Sequence, residues 1–315
     1  MYVPATLDEI TPAWLTRALA GSGVFGGAPV QEARVTRIGE GYGLDGVVGR
    51  VALEGRGVGG PSSLVAKLAK AKRGRTEIQF YEQIAERMPV RLLTFYAGYV
   101  DADEERAVLL LEDLSHAEQG DAIFGASYEQ AAAIFRAIAA FQARFVGADE
   151  TDLPLPAWVA EDGTLAQRVR DRTPRFLDRF GSSLDPRAKP HIEAIPDRLP
   201  HAIEFLGEAP STLVHKDLHL DNVLFLPGLV PVILDWTHAT RGPAIVDIVR
   251  LFVEGMTAET RRQHGDRLLE GYLHARRLAG YPETDPERVR AEVRAAVIWH
   301  LAYAVAWAGI EKQGF

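Results

Sequence analysis

The first 114 residues follow a different hydrophobic periodicity from the rest of the chain. Five short stretches there are rich in β-branched and aromatic residues and end at glycines or polar turns, as β-strands do: ARVTRIG, GVVGRVALEG, SSLVAKLA, VRLLTFYAGYV and RAVLLLEDL. Between the third and the fourth, TEIQFYEQIAERM places Ile78, Tyr81 and Ile84 at helical spacing. The pattern predicts a mostly antiparallel five-stranded sheet with one inserted helix.

Beyond residue 115 the periodicity is mainly helical. Ser127 and Gln130 have the spacing of a capping box ahead of AAAIFRAIAAFQARF, and helical patterns also fill the C-terminal part. Short apolar stretches such as STLV and VPVILDW interrupt them. We therefore predict an α+β fold of two lobes: a sheet-containing N-lobe over residues 1–114 and a mainly helical C-lobe over residues 115–315.

The composition excludes several classes of protein. With 315 residues, 47% of them hydrophobic, each lobe can bury a core. The chain has no cysteine, which excludes disulfides, thiolate metal sites and a cysteine nucleophile. A net charge of −8 gives no basic face for nucleic acid, and no apolar run reaches the length of a membrane helix. The N-terminal segment lacks a signal-peptide pattern, so we expect a cytoplasmic location.

Three glycines between the first two predicted strands form a G-x-G-x-x-G pattern: Gly41, Gly43 and Gly46. In a dinucleotide-binding fold this pattern opens a helix, whereas a strand follows here. A glycine loop between two strands is the kinase arrangement, in which backbone amides cover nucleotide phosphates. A flexible hairpin without a ligand remains the alternative.

Lys67 lies in the third predicted strand, on the face opposite Leu64. A lysine in a central apolar strand costs free energy unless it is paired or meets a ligand. Glu77, ten residues further on in the predicted helix, could pair with it, and Glu82 is the competing partner. The alternative is an edge-strand lysine in solvent.

The stretch VHKDLHLDNVLF, residues 214–225, concentrates polar side chains between two apolar segments. His215 and His219 have the spacing of a helical metal site, but the flanking segments are typical of strands, and Lys216 occupies the position where a zinc-protease motif needs glutamate. A metal site built on these two histidines is therefore disfavoured.

Asp217 and Asn222 are separated by four residues, and Asp235 ends the apolar strand VPVIL-D. Phosphoryl transfer needs a carboxylate to orient the attacking hydroxyl, and carboxylate and amide oxygens to hold magnesium. Two carboxylates about 4 Å apart repel by roughly 4 kcal/mol at a dielectric constant of ~20, and a divalent cation removes that penalty. The set therefore predicts a magnesium and phosphate site, with ordinary polar turns as the alternative.

Asp247 lies in the otherwise apolar helix candidate GPAIVDIVRLF. A buried carboxylate there must be hydrogen-bonded, so we predict that it braces the loop that contains Asp217. A surface acid is the alternative.

LVHKDLHLDNVLF, VILDW and GPAIVDI together resemble the catalytic core of the aminoglycoside phosphotransferase and choline kinase-like family, and AVLLLEDLSHAEQGD resembles its ecdysteroid kinase-like branch. The resemblance covers roughly residues 38–252. It implies a protein kinase-like bilobal fold and an enzyme that phosphorylates hydroxyls of small molecules with ATP or GTP.

The resemblance also implies roles for individual residues. Asp217 would be the catalytic base, and Asn222 and Asp235 would bind Mg²⁺. Nucleotide binding would fall to the glycine loop and to the remaining matched positions, namely Lys67, Glu77 and the backbone of Glu112 and Leu114. His215 would support the loop. Lys216 departs from the family pattern, because a small residue usually stands there.

The acceptor should lie between the loop and the C-terminal helices. Trp299, Tyr303 and Trp307 recur every four residues and are candidates for an aromatic pocket, with core packing as the alternative. His219 and His238 are further candidates. An antibiotic is the favoured acceptor. A kinase for a metabolic alcohol, a nucleotide-binding pseudokinase and a metal-dependent hydrolase are the alternative functions.

Overall fold

The computed structural model describes residues 1–39, 46–54, 60–103, 105–158 and 164–307. The chain divides into two compact units. The first comprises Met1–Gln119 and Asn222–Ala239, and the second comprises Gly120–Asp221 and Thr240–Phe315. The boundary expected near residue 114 stays a prediction.

A five-stranded antiparallel sheet forms the centre of the first unit. Its strands are β1 (Glu32–Ile38), β2 (Gly46–Glu54), β3 (Ser63–Lys70), β4 (Phe95–Val100) and β5 (Arg106–Glu112), in the order β1-β2-β3-β5-β4. This confirms the predicted α+β class and the sheet. Because side chains alternate along a strand, Leu64, Ala66 and Leu68 of β3 are buried on one face, in a core shared with Trp14 and Leu15. Lys67 points to the other face.

Two helices belong to this sheet, α1 (Pro12–Leu19) and α2 (Ala71–Gln83). The Thr11 side chain caps α1 by accepting the Trp14 N–H. Helix α2 begins five residues before the predicted start, because AKRGR has no apolar periodicity that would reveal it. Gly74 in this first part of α2 lies directly against Ala107 of β5.

A smaller three-stranded sheet completes the first unit. It contains β6 (Glu118–Gln119), β8 (Val223–Leu226) and β9 (Val230–Ile233), in the order β6-β8-β9. After β9 comes a 3-10 turn, Trp236–His238. The Trp236 ring stacks on Phe80 of α2, with centroids 4.0 Å apart, so the turn after β9 is fixed against α2.

The second unit is mainly helical. Its elements are α3 (Tyr128–Arg144), α4 (Thr164–Phe180), α5 (Ala188–Glu193), α6 (Ile195–Gly207), α7 (Ile245–Glu254), α8 (Ala258–Leu278), α9 (Pro286–Trp307) and the antiparallel pair β7 (Ser211–Val214) and β10 (Thr240–Pro243). The predicted capping box of α3 forms, with Ser127 and Gln130 bonded reciprocally.

Buried polar side chains connect these elements. Gln142 of α3 donates to the Ala244 carbonyl at 2.9 Å and accepts from the Tyr272 hydroxyl at 2.6 Å, which ties α3 to the start of α7 and to α8. His300 of α9 lies 2.9 Å from the Val246 carbonyl, and burial lowers its pKa to about 3. A neutral imidazole therefore ties α9 to α7.

No helix in the described part of the chain is long and apolar enough to cross a membrane.

We expect Gly74→Ala to destabilise the protein by about 1–3 kcal/mol, because the added Cβ would lie 2.3 Å from the Ala107 Cβ. Gly271→Ala in α8 is the matched control, since outside the adjacent residues and the backbone of its own helix no heavy atom lies within 4 Å of the added Cβ there. It should stabilise the protein by about 0.5–1 kcal/mol through helix propensity. Urea unfolding measures both, and equal effects of the two substitutions would contradict this account of the packing.

Candidate active site

Lys67 lies in β3, on the face of the large sheet opposite Leu64. It is paired with Val48 in β2 and with Leu109 in β5, so β3 is an interior strand. Its Nζ donates to Glu77 Oε2 at 2.6 Å and to Asp235 Oδ1 at 2.8 Å. The structure thus brings three predicted site residues together, from β3, α2 and the segment after β9.

The charges of this cluster keep the lysine protonated. Burial opposes the charged form of Lys67, but the carboxylates of Glu77 and Asp235 outweigh it and raise the pKa of the ammonium above its usual range. Glu77 is almost completely buried, whereas the Asp235 side chain is 37% exposed. Asp235 is therefore the partner that remains accessible to a ligand.

Asp235 adopts an unusual backbone conformation, with φ of +58°. Left-handed geometry is uncommon for a residue with a Cβ and costs on the order of 1 kcal/mol. Its Oδ1 also accepts a hydrogen bond from the Thr237 hydroxyl at 2.6 Å. The strained turn and this bond, which the sequence did not reveal, aim the carboxylate at Lys67.

Asn222 immediately precedes β8, and its carbonyl accepts the Leu234 N–H at 2.8 Å. Asn222 and Asp235 therefore lie at the same end of the β8–β9 hairpin. Amide and carboxylate oxygens are hard donors that suit Mg²⁺. Among the described residues, no three His, Asp or Glu side chains form a metal-binding cluster. The donor set fits Mg²⁺, which commonly takes one or two protein ligands and completes its shell with water and phosphate oxygens.

The end of β5 is fixed by side chains that sequence reasoning did not single out. The Glu112 carboxylate accepts from Arg91 Nη2 at 2.5 and 2.6 Å and from the Thr94 N–H at 2.9 Å. Burial favours the neutral acid, but these bonds outweigh it and lower the pKa of Glu112. The backbone N–H of Glu112 donates to the Thr94 carbonyl, and the carbonyl of Leu114 accepts from the Ala117 N–H.

The predicted glycine loop is described only at its end. Gly41 and Gly43 lie outside the described residues. Gly46 is the first residue of β2, and a Cβ there would lie 2.5 Å from the Leu68 carbonyl oxygen. Only glycine permits this close approach of β2 to β3.

In the second unit, Asp247 of α7 braces the loop after β7. Its Oδ2 accepts the His215 N–H at 2.9 Å, and its Oδ1 accepts the Lys216 N–H at 2.8 Å. The buried His215 ring in turn accepts the Asp217 N–H through Nδ1 at 3.3 Å. Lys216 has a φ of +71°, so the loop turns sharply just before Asp217.

The Asp217 carboxylate lies within a network of charged side chains. Its Oδ1 accepts from Arg250 Nη2 at 2.8 Å, and Arg250 Nη1 donates to Glu254 Oε1 at 2.7 Å. His219 Nε2 lies 3.9 Å from the other oxygen of Asp217, and His219 Nδ1 lies 3.7 Å from Asp221 Oδ2. Sequence reasoning missed Arg250, although it lies one helical turn after Asp247 on α7.

The aromatic residues of α9 do not share one environment. Trp299 is buried and contacts Tyr303, with ring centroids 4.6 Å apart, whereas Trp307 is half exposed. The Lys216 ammonium lies 5.8 Å from the centre of the Trp299 ring, within cation–π range. This contact places the Lys216 side chain beside Trp299. A substrate pocket formed by Trp299, Tyr303 and Trp307 stays a prediction. His238 is half-buried in the turn after Asp235.

Residues 51–291 match the model of the phosphotransferase enzyme family. The chain belongs to this family. It is therefore an enzyme, a small-molecule kinase, and the family resemblance seen in the sequence is confirmed.

Solved structures of related phosphotransferases share the fold. A GDP complex of wild-type aminoglycoside 2'-phosphotransferase-IIIa is 15% identical, with a TM-score of 0.56 over 93% of this chain and 91% of that chain. Spectinomycin phosphotransferase APH(9)-Ia with ADP and spectinomycin is 12% identical, with a TM-score of 0.59 over 89% and 82%. Choline kinase from Cryptosporidium parvum is 12% identical, with a TM-score of 0.58 over 95% and 88%. These likenesses show the predicted kinase-like fold.

An uncharacterized kinase-like protein of Caenorhabditis elegans is 34% identical over 65 residues. The match covers 20% of this chain and spans 17% of the length of that protein.

Burial outweighs the two N–H donors and raises the pKa of Asp247 from 3.8 to about 7. The folded protein therefore keeps the proton that the unfolded chain loses, so wild-type stability should fall as the pH rises from about 4 to about 7. The neutral side chain of Asp247→Asn lacks this dependence. The unfolding free energy of the variant relative to wild type should rise by roughly 1 kcal/mol per pH unit between pH 5 and 7. Urea unfolding at several pH values measures this, and a constant difference would contradict it.

Proposed function

We propose that this phosphotransferase transfers the γ-phosphate of ATP or GTP to a hydroxyl of a small molecule in a Mg²⁺-dependent reaction, and that the acceptor is an antibiotic. The observation that carries the proposal is the Lys67 ammonium held between Glu77 and Asp235. A cation fixed in this way, beside a partly exposed carboxylate, suits nucleotide phosphates. The reaction would take place in the cytoplasm, without nucleic acid or membrane.

The first unit would bind the nucleotide. Lys67 would contact its phosphates, and the buried Glu77 would hold the lysine in place. At the end of β5, the backbone of Glu112 and Leu114 would contact the purine. The glycine loop of Gly41, Gly43 and Gly46 would cover the phosphates.

Asn222 and Asp235 would supply oxygen ligands to Mg²⁺. When bound, the ion would neutralise charge on the phosphate oxygens and offset the negative charge of Asp235. Thr237, whose hydroxyl is bonded to Asp235, would keep the carboxylate in place.

Asp217 would orient the acceptor hydroxyl and take its proton as the acceptor oxygen bonds to the γ-phosphorus. The bond from that phosphorus to the β–γ bridging oxygen would break, and the nucleoside diphosphate would leave. Arg250 binds one of the Asp217 oxygens, and the second oxygen lies 3.9 Å from His219 Nε2. Asp247 and His215 support the backbone of the same loop. Arg250 is thus a positioning residue in this proposal.

The nature of the acceptor is supported by the fold relatives. Their names include an aminoglycoside phosphotransferase and a spectinomycin phosphotransferase, both antibiotic kinases by name. The choline kinase among them is the observation that favours a metabolic alcohol as the second candidate acceptor.

Incubation with Mg²⁺ and ATP or GTP against antibiotics and polar alcohols, with mass spectrometry of the products, tests the proposal. Asp217→Asn and Asp235→Asn should each lower turnover at least 100-fold, because each removes a group the reaction needs. His219→Ala should keep kcat within tenfold. A metal-dependent hydrolase that uses the two histidines would instead lose activity in His219→Ala and keep it in Asp235→Asn. Full phosphoryl transfer by Asp217→Asn would show that Asp217 is not the base.

Arg250→Gln should lower kcat by about 10- to 100-fold while leaving the KM for the nucleotide close to wild type, since a misplaced carboxylate impairs the reacting geometry. Arg250→Lys keeps the charge and should recover part of the loss. Arg288→Gln is the matched control, because Arg288 also bridges two acids, Glu208 and Glu292. Steady-state kinetics with unfolding midpoints distinguish positioning from stability. Equal kcat values for Arg250→Gln and the control would reject this role.

A further inference from the structure

Two adjacent apolar side chains extend into solvent just before α3. Ile123 is 82% exposed and Phe124 is 79% exposed, the highest values among the large apolar side chains of the described residues. Contiguous exposed apolar surface, on the order of a few hundred Å², marks binding sites on many soluble proteins. We call these two side chains the apolar ledge.

The backbone under the apolar ledge is ordered by five successive N–H groups. Those of Ile123 and Phe124 donate to Asp121 Oδ1 at 2.8 and 3.1 Å, and that of Gly125 donates to the Asp121 carbonyl at 2.9 Å. The Ala126 N–H donates to the Gly255 carbonyl at 2.8 Å. The fifth, at residue 122, donates to the loop that contains the proposed base. Hydrogen bonds therefore hold the backbone that exposes the side chains of Ile123 and Phe124.

Gly125 fixes the direction in which the ledge points. Its φ is +77°, and an added Cβ would lie 2.9 Å from the backbone nitrogen of Thr257, at the cap of α8. The positive φ and the close approach both require glycine. The segment is thus packed against the α7–α8 turn, while the side chains of Ile123 and Phe124 remain exposed to solvent.

A short series of contacts connects the apolar ledge to the Asp217 loop. The Ala122 N–H donates to Asp221 Oδ1 at 3.0 Å. The other Asp221 oxygen lies 3.7 Å from His219, and His219 lies 3.9 Å from Asp217. The backbone beside the apolar ledge is therefore hydrogen-bonded to the loop that carries the proposed base, within the same unit of the protein.

We propose that the apolar ledge binds the acceptor and selects an amphipathic alcohol, a molecule that carries its reactive hydroxyl beside an apolar face. This inference rests on the proposed phosphotransferase function and specifies its acceptor. The hydroxyl is directed to Asp217, and the apolar face covers Ile123 and Phe124. Polycationic acceptors without an apolar face gain nothing from these side chains.

The size of the apolar ledge favours a small molecule over a protein partner. Two side chains bury a few hundred Å² at most, whereas a stable protein interface buries roughly 1,200 Å² or more. Acidic and polar residues lie on both sides of it in the chain, at Gln119, Asp121 and Ser127. Its backbone link to the Asp217 loop through Asp221 favours the acceptor of the reaction as the occupant.

Calorimetric titration in the presence of Mg²⁺ and ADP tests the proposal directly. A macrolide and a hydroxysteroid serve as amphipathic probes, and kanamycin and choline serve as hydrophilic probes. Wild type should bind at least one amphipathic probe more tightly than both hydrophilic ones. The double variant Ile123→Ser, Phe124→Ser should weaken that Kd at least tenfold, which is about 1.4 kcal/mol.

Leu278→Ser is the matched control, because Leu278 is also an exposed aliphatic residue (73%) and lies at the far end of α8. It should leave the Kd unchanged, and all variants should keep the wild-type unfolding midpoint. Failure of both amphipathic probes to bind, an unchanged Kd in the double variant, or conversion of an oligomer to a monomer by the double variant would overturn the proposal. Mass spectrometry reports phosphoryl transfer separately, so failure of the function is distinguishable from failure of the ledge.

Discussion

The first unit depends on one buried cation held by two carboxylates. Removing Lys67 and Glu77 from water costs several kcal/mol per ion, and the attraction between them offsets that cost only when the geometry is good. The contacts of 2.6 and 2.8 Å meet this condition. They also join an interior strand, a helix and the segment after β9 at one point. Well-packed apolar residues could stabilise such a site equally well, so the ions are better explained by the phosphate chemistry proposed for them.

The second carboxylate of this cluster belongs to Asp235. Its backbone conformation is strained, and packing of the next residue compensates for the free energy of that strain. Asp235 occupies a left-handed conformation that its Cβ disfavours. The next residue, Trp236, is fully buried, stacks on Phe80 and donates to the Ile233 carbonyl. An aromatic anchor of this size contributes enough to maintain a strained neighbour. The sheet, α2 and the turn after β9 are thus needed together to direct one carboxylate at one ammonium.

Local rules predicted the elements better than the contacts between them. The two-residue period of a strand was enough to place Lys67 opposite the buried Leu64. The contacts of Lys67 with Asp235, and of Arg250 with Asp217, join residues 168 and 33 positions apart, and no local pattern encodes such distances. The roles assigned to these residues remain predictions. The start of α2 was wrong by five residues because its first turns carry charged residues and glycine instead of an apolar stripe.

In the second unit, helix α7 positions the Asp217 carboxylate, as the sheet and α2 position Asp235 in the first. Asp247 binds the backbone of the Asp217 loop, and Arg250, one turn later, binds the Asp217 carboxylate. A helix is rigid over one turn, so a single element sets both the path of the loop and the direction of its acid. The start of α7 is itself held from two sides, by Gln142 at the Ala244 carbonyl and by His300 at the Val246 carbonyl. Any displacement of α7 would therefore move the backbone of the loop and its carboxylate together, which keeps their relative geometry intact.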